Sequence, residues 1–264
     1  MKQHPTAIIA EGAQIHDDVI IGPYCVVGEH VSIDAGTELK SHVSLDGYTT
    51  IGKKNRFFPF SSIAREPQDL KFHGEKSQVI IGDNNTIREN VTINPGTEGG
   101  GMITRLGNNN LLMAYVHIAH DCILKDDIVM ANCATLAGHI EVGNGAIIGG
   151  LSAIHQFLRI GDHAMIGGMS GVVKDVPPFC LTAGGYRPSL AGLNIVALRR
   201  HKVAKESIHN LKKVYRILLQ DTGKLSERLN EARDVSTEDI YCQQLIEFTE
   251  TAKRGLTLHR RASQ

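Results

Sequence analysis

Broken into sixes, residues 112–153 read LMAYVH IAHDCI LKDDIV MANCAT LAGHIE VGNGAI IGGLSA. Every sextet opens on an apolar residue: Leu112, Ile118, Leu124, Met130, Leu136, Val142 and Ile148. Downstream the count continues through Ile154, Ile160, Ile166 and Val172, and upstream it reaches Leu106. Before a single shift of register it runs from Ile9 through Ile15, Ile21, Val27, Ile33, Leu39, Leu45, Ile51, Phe57 and Ile63, then resumes at Ile81, Ile87 and Ile93. Four residues after each opening residue stands a small or β-branched one, as at Val19, Cys25, Val31, Val116, Ala134, Ala146 and Ser152.

A period of six matches neither the 3.6 of an amphipathic helix nor the simple alternation of a half-buried strand. It fits one short strand and one turn per hexad. Three hexads close a triangular coil, so residues 18 apart stack on neighbouring coils, and the coils pair as parallel strands about 4.8 Å apart. The expected fold class is therefore an all-β parallel β-helix over residues 1–190. Residues 64–80 and 98–105 break the count and are expected to be extruded loops, the usual place for binding groups on a rigid scaffold. After Pro177 and Pro178 the hexad stops and a helical period takes over, with Ile208, Leu211, Val214, Tyr215 and Leu218 on one face. Asp221-Thr222-Gly223 ends that helix, and Thr237-Glu238-Asp239 opens a last one. Residues 191–264 are thus expected to form a small α-helical C-terminal domain.

Lys and Arg together number 28, as do Asp and Glu, so no global field recruits nucleic acid or an anionic membrane. The five cysteines form no paired motif, which argues against a disulfide framework and fits a reducing cytoplasm. No apolar run is long enough to cross a bilayer.

Against this neutral background stand 13 histidines. The stacking arithmetic puts His120, Gly138 and Gln156, each third in its hexad, in one column. Asp121 falls beneath His139, and His155 adjoins Gln156. Clustered imidazoles with an adjacent carboxylate suit general-base chemistry, and they equally suit a zinc site. Seven basic residues, Arg199, Arg200, Lys202, Lys205, Lys212, Lys213 and Arg216, gather beside a single acid, Glu206, as a local patch for an acidic partner.

Several stretches resemble one family closely: Gln68-Asp69-Leu70-Lys71, His117-Ile118-Ala119-His120-Asp121-Cys122, Ala137-Gly138-His139, His155-Gln156-Phe157 and Asp175-Val176-Pro177-Pro178. They resemble the UDP-N-acetylglucosamine O-acyltransferases of lipid A biosynthesis. The left hand of the helix enters with this resemblance, because parallel crossovers are normally right-handed. The resemblance implies a cytoplasmic homotrimer that moves a 3-hydroxyacyl chain from acyl carrier protein to the sugar 3-hydroxyl, without metal or organic cofactor. It makes His120 the general base, Asp121 its partner and the Gly138 N–H an oxyanion donor. Asp69, Lys71, His117, His139, His155, Gln156, Asn194 and Arg200 would bind the sugar nucleotide, and Gly168, with Met165 and Met169, would limit the acyl chain. Asn94-Pro95-Gly96, Val196 and His201 depart from the familiar pattern, so a 3-amino sugar remains an alternative acceptor. From another class, a trimeric γ-carbonic-anhydrase-like hydratase would use the histidines to hold zinc.

Overall fold

The computed structural model describes residues 1–236 and 238–259. The hexads build a three-sided prism. Face I holds eleven strands, from Lys2–Gln3 to Ser189–Leu193; face II holds nine, from Ile8–Ile9 to Gly171–Val172; face III holds eight, from Gln14–Ile15 to Arg159–Ile160. The chain visits I, II and III in turn, and every pairing is parallel except the last on face I, where Cys180–Ala183 meets Ser189–Leu193 antiparallel. On face II, Ile63, Ile93, Ile118, Leu136, Ile154 and Val172 pair in succession, so both insertions are absorbed without breaking the column.

Why hexads make this shape follows from three positions. The opening residue points inward and is buried, as at Ile51, Ile81, Leu106 and Leu124; each such side chain contributes about 1.5–3 kcal/mol. The fifth residue fills the corner, where only small or branched side chains fit: Cys25, Val43, Cys122 and Ala134 are fully buried. The fourth residue turns the chain in the left-handed region, for example Asp121 at φ 59°, His139 at 61° and Phe157 at 64°. Such a conformation costs a non-glycine residue roughly 1–2 kcal/mol. Hydrogen bonds between coils offset it, as from His139 N to His120 O at 3.0 Å and from Phe157 N to Gly138 O at 3.1 Å.

The edge between faces III and I carries two polar ladders. At the buried corner, the Asn55 side-chain oxygen accepts from Asn85 N at 2.9 Å, Asn85 from Asn110 N at 2.8 Å, and Asn110 from Ile128 N at 2.7 Å. Just outside, Asn108 accepts from Asp83 N, Asp126 from Asn108 N and Asp162 from Asn144 N, at 2.7, 2.6 and 3.0 Å.

The insertions are shorter than their sequence suggests. Gln78–Ile81 pairs with both Tyr48–Ile51 and Ile103–Leu106, so the expected loops 64–80 and 98–105 give way to strand at Gln78 and at Ile103. Val79 and Thr104 are both buried, and that inward alternation extends these strands one inward residue ahead of the hexad anchor. The expected boundary at 190 falls inside the strand Ser189–Leu193.

The helices α1 (Ile195–Arg200), α2 (Lys205–Leu219), α3 (Leu225–Ser236) and α4 (Ile240–Glu250) follow. Leu211, Val214, Leu218 and Leu245 pack with Leu198 and with Phe179 and Cys180 from the last coil in one core, so the helices cover the end of the prism instead of standing apart from it. Helix α4 is capped by the Asp239 side chain, which accepts from Tyr241 N and Cys242 N; Thr237, expected to open this helix, lies outside the described residues. The chain then returns to the prism, where Leu256 pairs in parallel with Asp175 and Thr257 N donates to Asp175 O at 2.8 Å. Arg159 fastens the junction, lying 4.3 Å over the Phe248 ring and 3.5 Å from Asp175 Oδ2. Among the described residues no helix is long and apolar enough to cross a membrane.

Candidate active site

Both loops leave the prism at the same edge, between faces II and III. One connects Ser62–Ile63 to Gln78–Ile81 and the other Thr92–Ile93 to Ile103–Leu106; the turn after His117–Ile118 lies on the next coil. Loop chemistry and coil chemistry therefore meet at His120.

His120 is half-buried, and its Nδ1 lies 2.8 Å from Asp121 Oδ2. A carboxylate only accepts, so Nδ1 is the donor, and in the neutral ring the lone pair is on Nε2. Nε2 sits 3.8 Å from Asp69 Oδ2 on the first loop. The Asp121 side chain is fully buried, and its charge is met from the second loop: Thr97 N donates to Oδ1 and Oδ2 at 3.0 and 3.1 Å, and Thr97 Oγ1 donates to Oδ2 at 2.7 Å. Thr104 Oγ1 accepts from Asp121 N at 2.8 Å and holds the backbone from below.

One coil on, Gly138 stands against the His120 ring. A methyl group there would lie 2.7 Å from Nε2, so only glycine leaves the ring its place. Among the described residues no hydrogen bond takes up the Gly138 N–H. His139 meets His120 edge-on at 5.0 Å between ring centres and stacks on Phe157 at 4.3 Å. Burial lowers the pKa of His139 against the pull of Asp121 and Asp69, with repulsion from His120 adding to the fall. His117 bonds Thr92 Oγ1 through Nδ1 at 2.7 Å, and burial, followed by repulsion from His120, lowers its pKa as well. Both neighbours thus favour the neutral imidazole, and the carboxylates nearest His120 are Asp121 at Nδ1 and Asp69 at Nε2.

His120, Asp121 and His139 each offer a ligand atom within 4.8 Å of the others, a spacing an ion can bridge. Asp121 Oδ2, however, already accepts from the Thr97 hydroxyl and from His120, and Oδ1 from Thr97 N. That arrangement fits a hydrogen-bonded acid–base pair better than a metal ligand set.

Of the residues expected from sequence, Asp69, His117, His120, Asp121, Gly138, His139, His155 and Gln156 lie along this one edge, with Lys71 two residues beyond Asp69 on the loop. A groove of about 870 Å³ runs beside it, bounded by Gly100, Asp121, His139, Phe157 and Arg254. His155 opens instead onto a neighbouring cavity with Lys174, Arg187 and Arg254. The other expected residues are elsewhere on the same chain. Asn194 caps α1 by accepting from Ala197 N and donates to His163 O at 3.1 Å, which places it and the exposed Arg200 at the edge between III and I. The His163 ring lies 4.2 Å from that of His201. Gly168 and Met169 turn the chain between faces I and II, and Met165 looks outward from face I.

Sequence reasoning missed Thr97 and Phe157. Thr97 lies outside the hexad count, and its one signal is a lone hydroxyl between Gly96 and the glycines at 99–101. Phe157 follows from the stacking rule that linked Asp121 to His139, extended one coil further.

The chain matches a family model described as UDP N-acetylglucosamine O-acyltransferase, domain 2, over residues 175–257, and one described as bacterial transferase hexapeptide over residues 12–47. It is 49% identical to the acyl-[acyl-carrier-protein]–UDP-N-acetylglucosamine O-acyltransferase of Thermodesulfovibrio yellowstonii, covering 96% of this chain and 98% of that one. The crystal structure of UDP-N-acetylglucosamine O-acyltransferase from Moraxella catarrhalis superposes with a TM-score of 0.95 at 45% identity over 97% of this chain and 100% of that one. UDP-N-acetylglucosamine acyltransferase from Campylobacter jejuni superposes at 0.92 with 40% identity over 98% and 100% of the two chains.

Proposed function

The chain belongs to the UDP-N-acetylglucosamine O-acyltransferases, which pass an acyl group from acyl carrier protein to UDP-N-acetylglucosamine in lipid A biosynthesis, and from that premise we propose how its residues divide the work. One observation carries the reading: His120 Nδ1 donates to Asp121 Oδ2 at 2.8 Å, which leaves Nε2, on the side of the Asp69 loop, as the base.

His120 Nε2 takes the proton of the sugar 3-hydroxyl as that oxygen attacks the carbonyl carbon of a 3-hydroxyacyl thioester. The C–O bond forms and the carbonyl oxygen gathers negative charge, which the free N–H of Gly138 steadies. When the C–S bond breaks, the carrier thiolate recovers the proton from His120. Asp121 stabilises the imidazolium in between, and no covalent acyl-enzyme is required. Asp69 and Lys71 position the sugar nucleotide from the loop, with His117, His139, His155 and Gln156 lining the edge.

Asn194 and Arg200 sit on a different edge of the prism from His120. A homotrimer resolves this, because a cyclic, heterologous contact sets one subunit's II/III edge against another face of its neighbour. Gly168, Met165 and Met169 would then limit the acyl chain from the neighbouring subunit. The basic residues from Arg199 to Arg216 are exposed and suit the acidic carrier protein. A cytoplasmic location suits both substrates.

The test is transfer of radiolabelled acyl groups from 3-hydroxyacyl carrier proteins of graded length to UDP-N-acetylglucosamine and, in parallel, to its 3-amino analogue, with metal analysis of the active protein. Transfer to the 3-hydroxyl sugar with a sharp optimum of chain length is the expected result. Preference for the amine would overturn the acceptor, and stoichiometric zinc whose removal abolishes activity would overturn the mechanism in favour of a metal-dependent hydratase.

A further inference from the structure

Thr97 has a hydroxyl that its own loop does not use. It occupies the N-cap position of the turn Glu98–Gly100 in an extended conformation, φ −130° and ψ 162°, where a threonine oxygen ordinarily accepts from the turn's own N–H groups; it makes no such bond. The hydroxyl goes to Asp121 Oδ2 instead, at 2.7 Å, beside the backbone N–H that reaches both carboxylate oxygens. Thr97 is 4% exposed and Asp121 5%. The loop is shaped around this contact: a methyl group on Gly96 would lie 2.8 Å from Asp121 Oδ1, and one on Gly100 would overlap the carboxylate.

A carboxylate turns about a broad, two-fold torsion. Oδ2 is the oxygen that His120 Nδ1 contacts, so a carboxylate free to turn would carry the imidazole with it. We infer that Thr97 is a positioning residue of the transfer reaction, its hydroxyl locking Asp121 in the orientation that presents Oδ2 to His120 and keeps Nε2 toward the Asp69 loop. The inference rests on the reading of His120 as the base. Thr97 touches no substrate; it acts through Asp121, and a buried, charge-assisted hydrogen bond is the kind whose loss is felt in full.

The experiment compares kcat and KM for both substrates in full-length T97V, T97S, D121A and T97V/D121A. Valine keeps the shape and the backbone N–H but removes the hydroxyl donor; serine keeps both donors. T97V should lower kcat about tenfold with KM unchanged, T97S should restore it, and T97V should add no further loss in the D121A background. An unchanged kcat in T97V, a loss carried in KM, or losses that multiply in the double variant would each overturn the proposal. If T97V does not fold, T97A removes the same hydroxyl while keeping the backbone N–H, and its loss must likewise vanish with D121A. H120A assayed alongside separates two failures: transfer retained in H120A removes the base itself, whereas transfer lost in H120A but normal in T97V removes only the role of Thr97.

Discussion

Two edges of the prism are rich in polar residues and turn through the same left-handed backbone, yet they do opposite things. At the III/I edge, Asn108, Asp126 and Asp162 direct side-chain oxygens at backbone N–H groups one coil away, and the corner asparagines do the same inside. Those side chains stabilise the coil and leave little for a ligand. At the II/III edge the coil supplies Asp121 and His120, but further donors to Asp121 come from an inserted loop, and His120 Nε2 is turned to the Asp69 loop with no backbone partner from the next coil. Residue type alone does not separate the edges, since both carry Asp and His. What separates them is whether the polar atoms are consumed by the neighbouring coil or held by a loop for use elsewhere.

The sharpest way to break that distinction is Gly138→Ala. Its backbone lies outside the left-handed region, so the added methyl acts purely by contact with His120. We expect kcat to fall about 100-fold through displacement of the ring, with the melting temperature nearly unchanged; activity close to wild type would mean the ring position is not critical. Lys71→Ala should raise KM for the sugar nucleotide roughly tenfold at similar kcat, as expected for a group that binds ground and transition states alike. A loss confined to kcat would move Lys71 into the chemistry. Mixing H120A and R200A protomers tests whether the two edges cooperate across subunits. About a quarter of all sites in an equal, randomly assembled mixture would combine one intact His120 with a neighbour's intact Arg200, and no recovery over either parent would contradict a shared site. Asp126→Ala belongs to the structural edge. It should leave transfer kinetics alone while costing about 1–2 kcal/mol in denaturant unfolding, because Asn108 N loses its acceptor.

These edges are unequally legible in the sequence. Apolar residues every six positions make the prism and its coil register readable, because one rule governs each strand and the same rule pairs Ile118 with Leu136 and Leu136 with Ile154. Counting in eighteens is enough to put His120 against Gly138 and Asp121 beneath His139, and the ring contacts follow that register. The rule ends where the count ends. Thr97 reaches Asp121 from a loop whose path no period describes, and the return of residues 255–257 to pair beside Asp175 depends on tertiary packing of the helices. The buried asparagines at 55, 85 and 110 look like misfits in an apolar column; only the ladder between coils shows why they are tolerated. Asn194 and Arg200 entered through family resemblance alone, and within one chain they sit on another edge from His120.

The central claim is that His120 is the base and that the loop-held edge exists to serve it. Its most direct measurement is the kcat of His120→Ala for transfer from a 3-hydroxyacyl carrier protein to UDP-N-acetylglucosamine, with circular dichroism and melting to show the fold intact. A loss of about 1,000-fold or more in a fully folded protein is the predicted result; transfer within about tenfold of wild type would contradict the account and return the chemistry to another group at this edge.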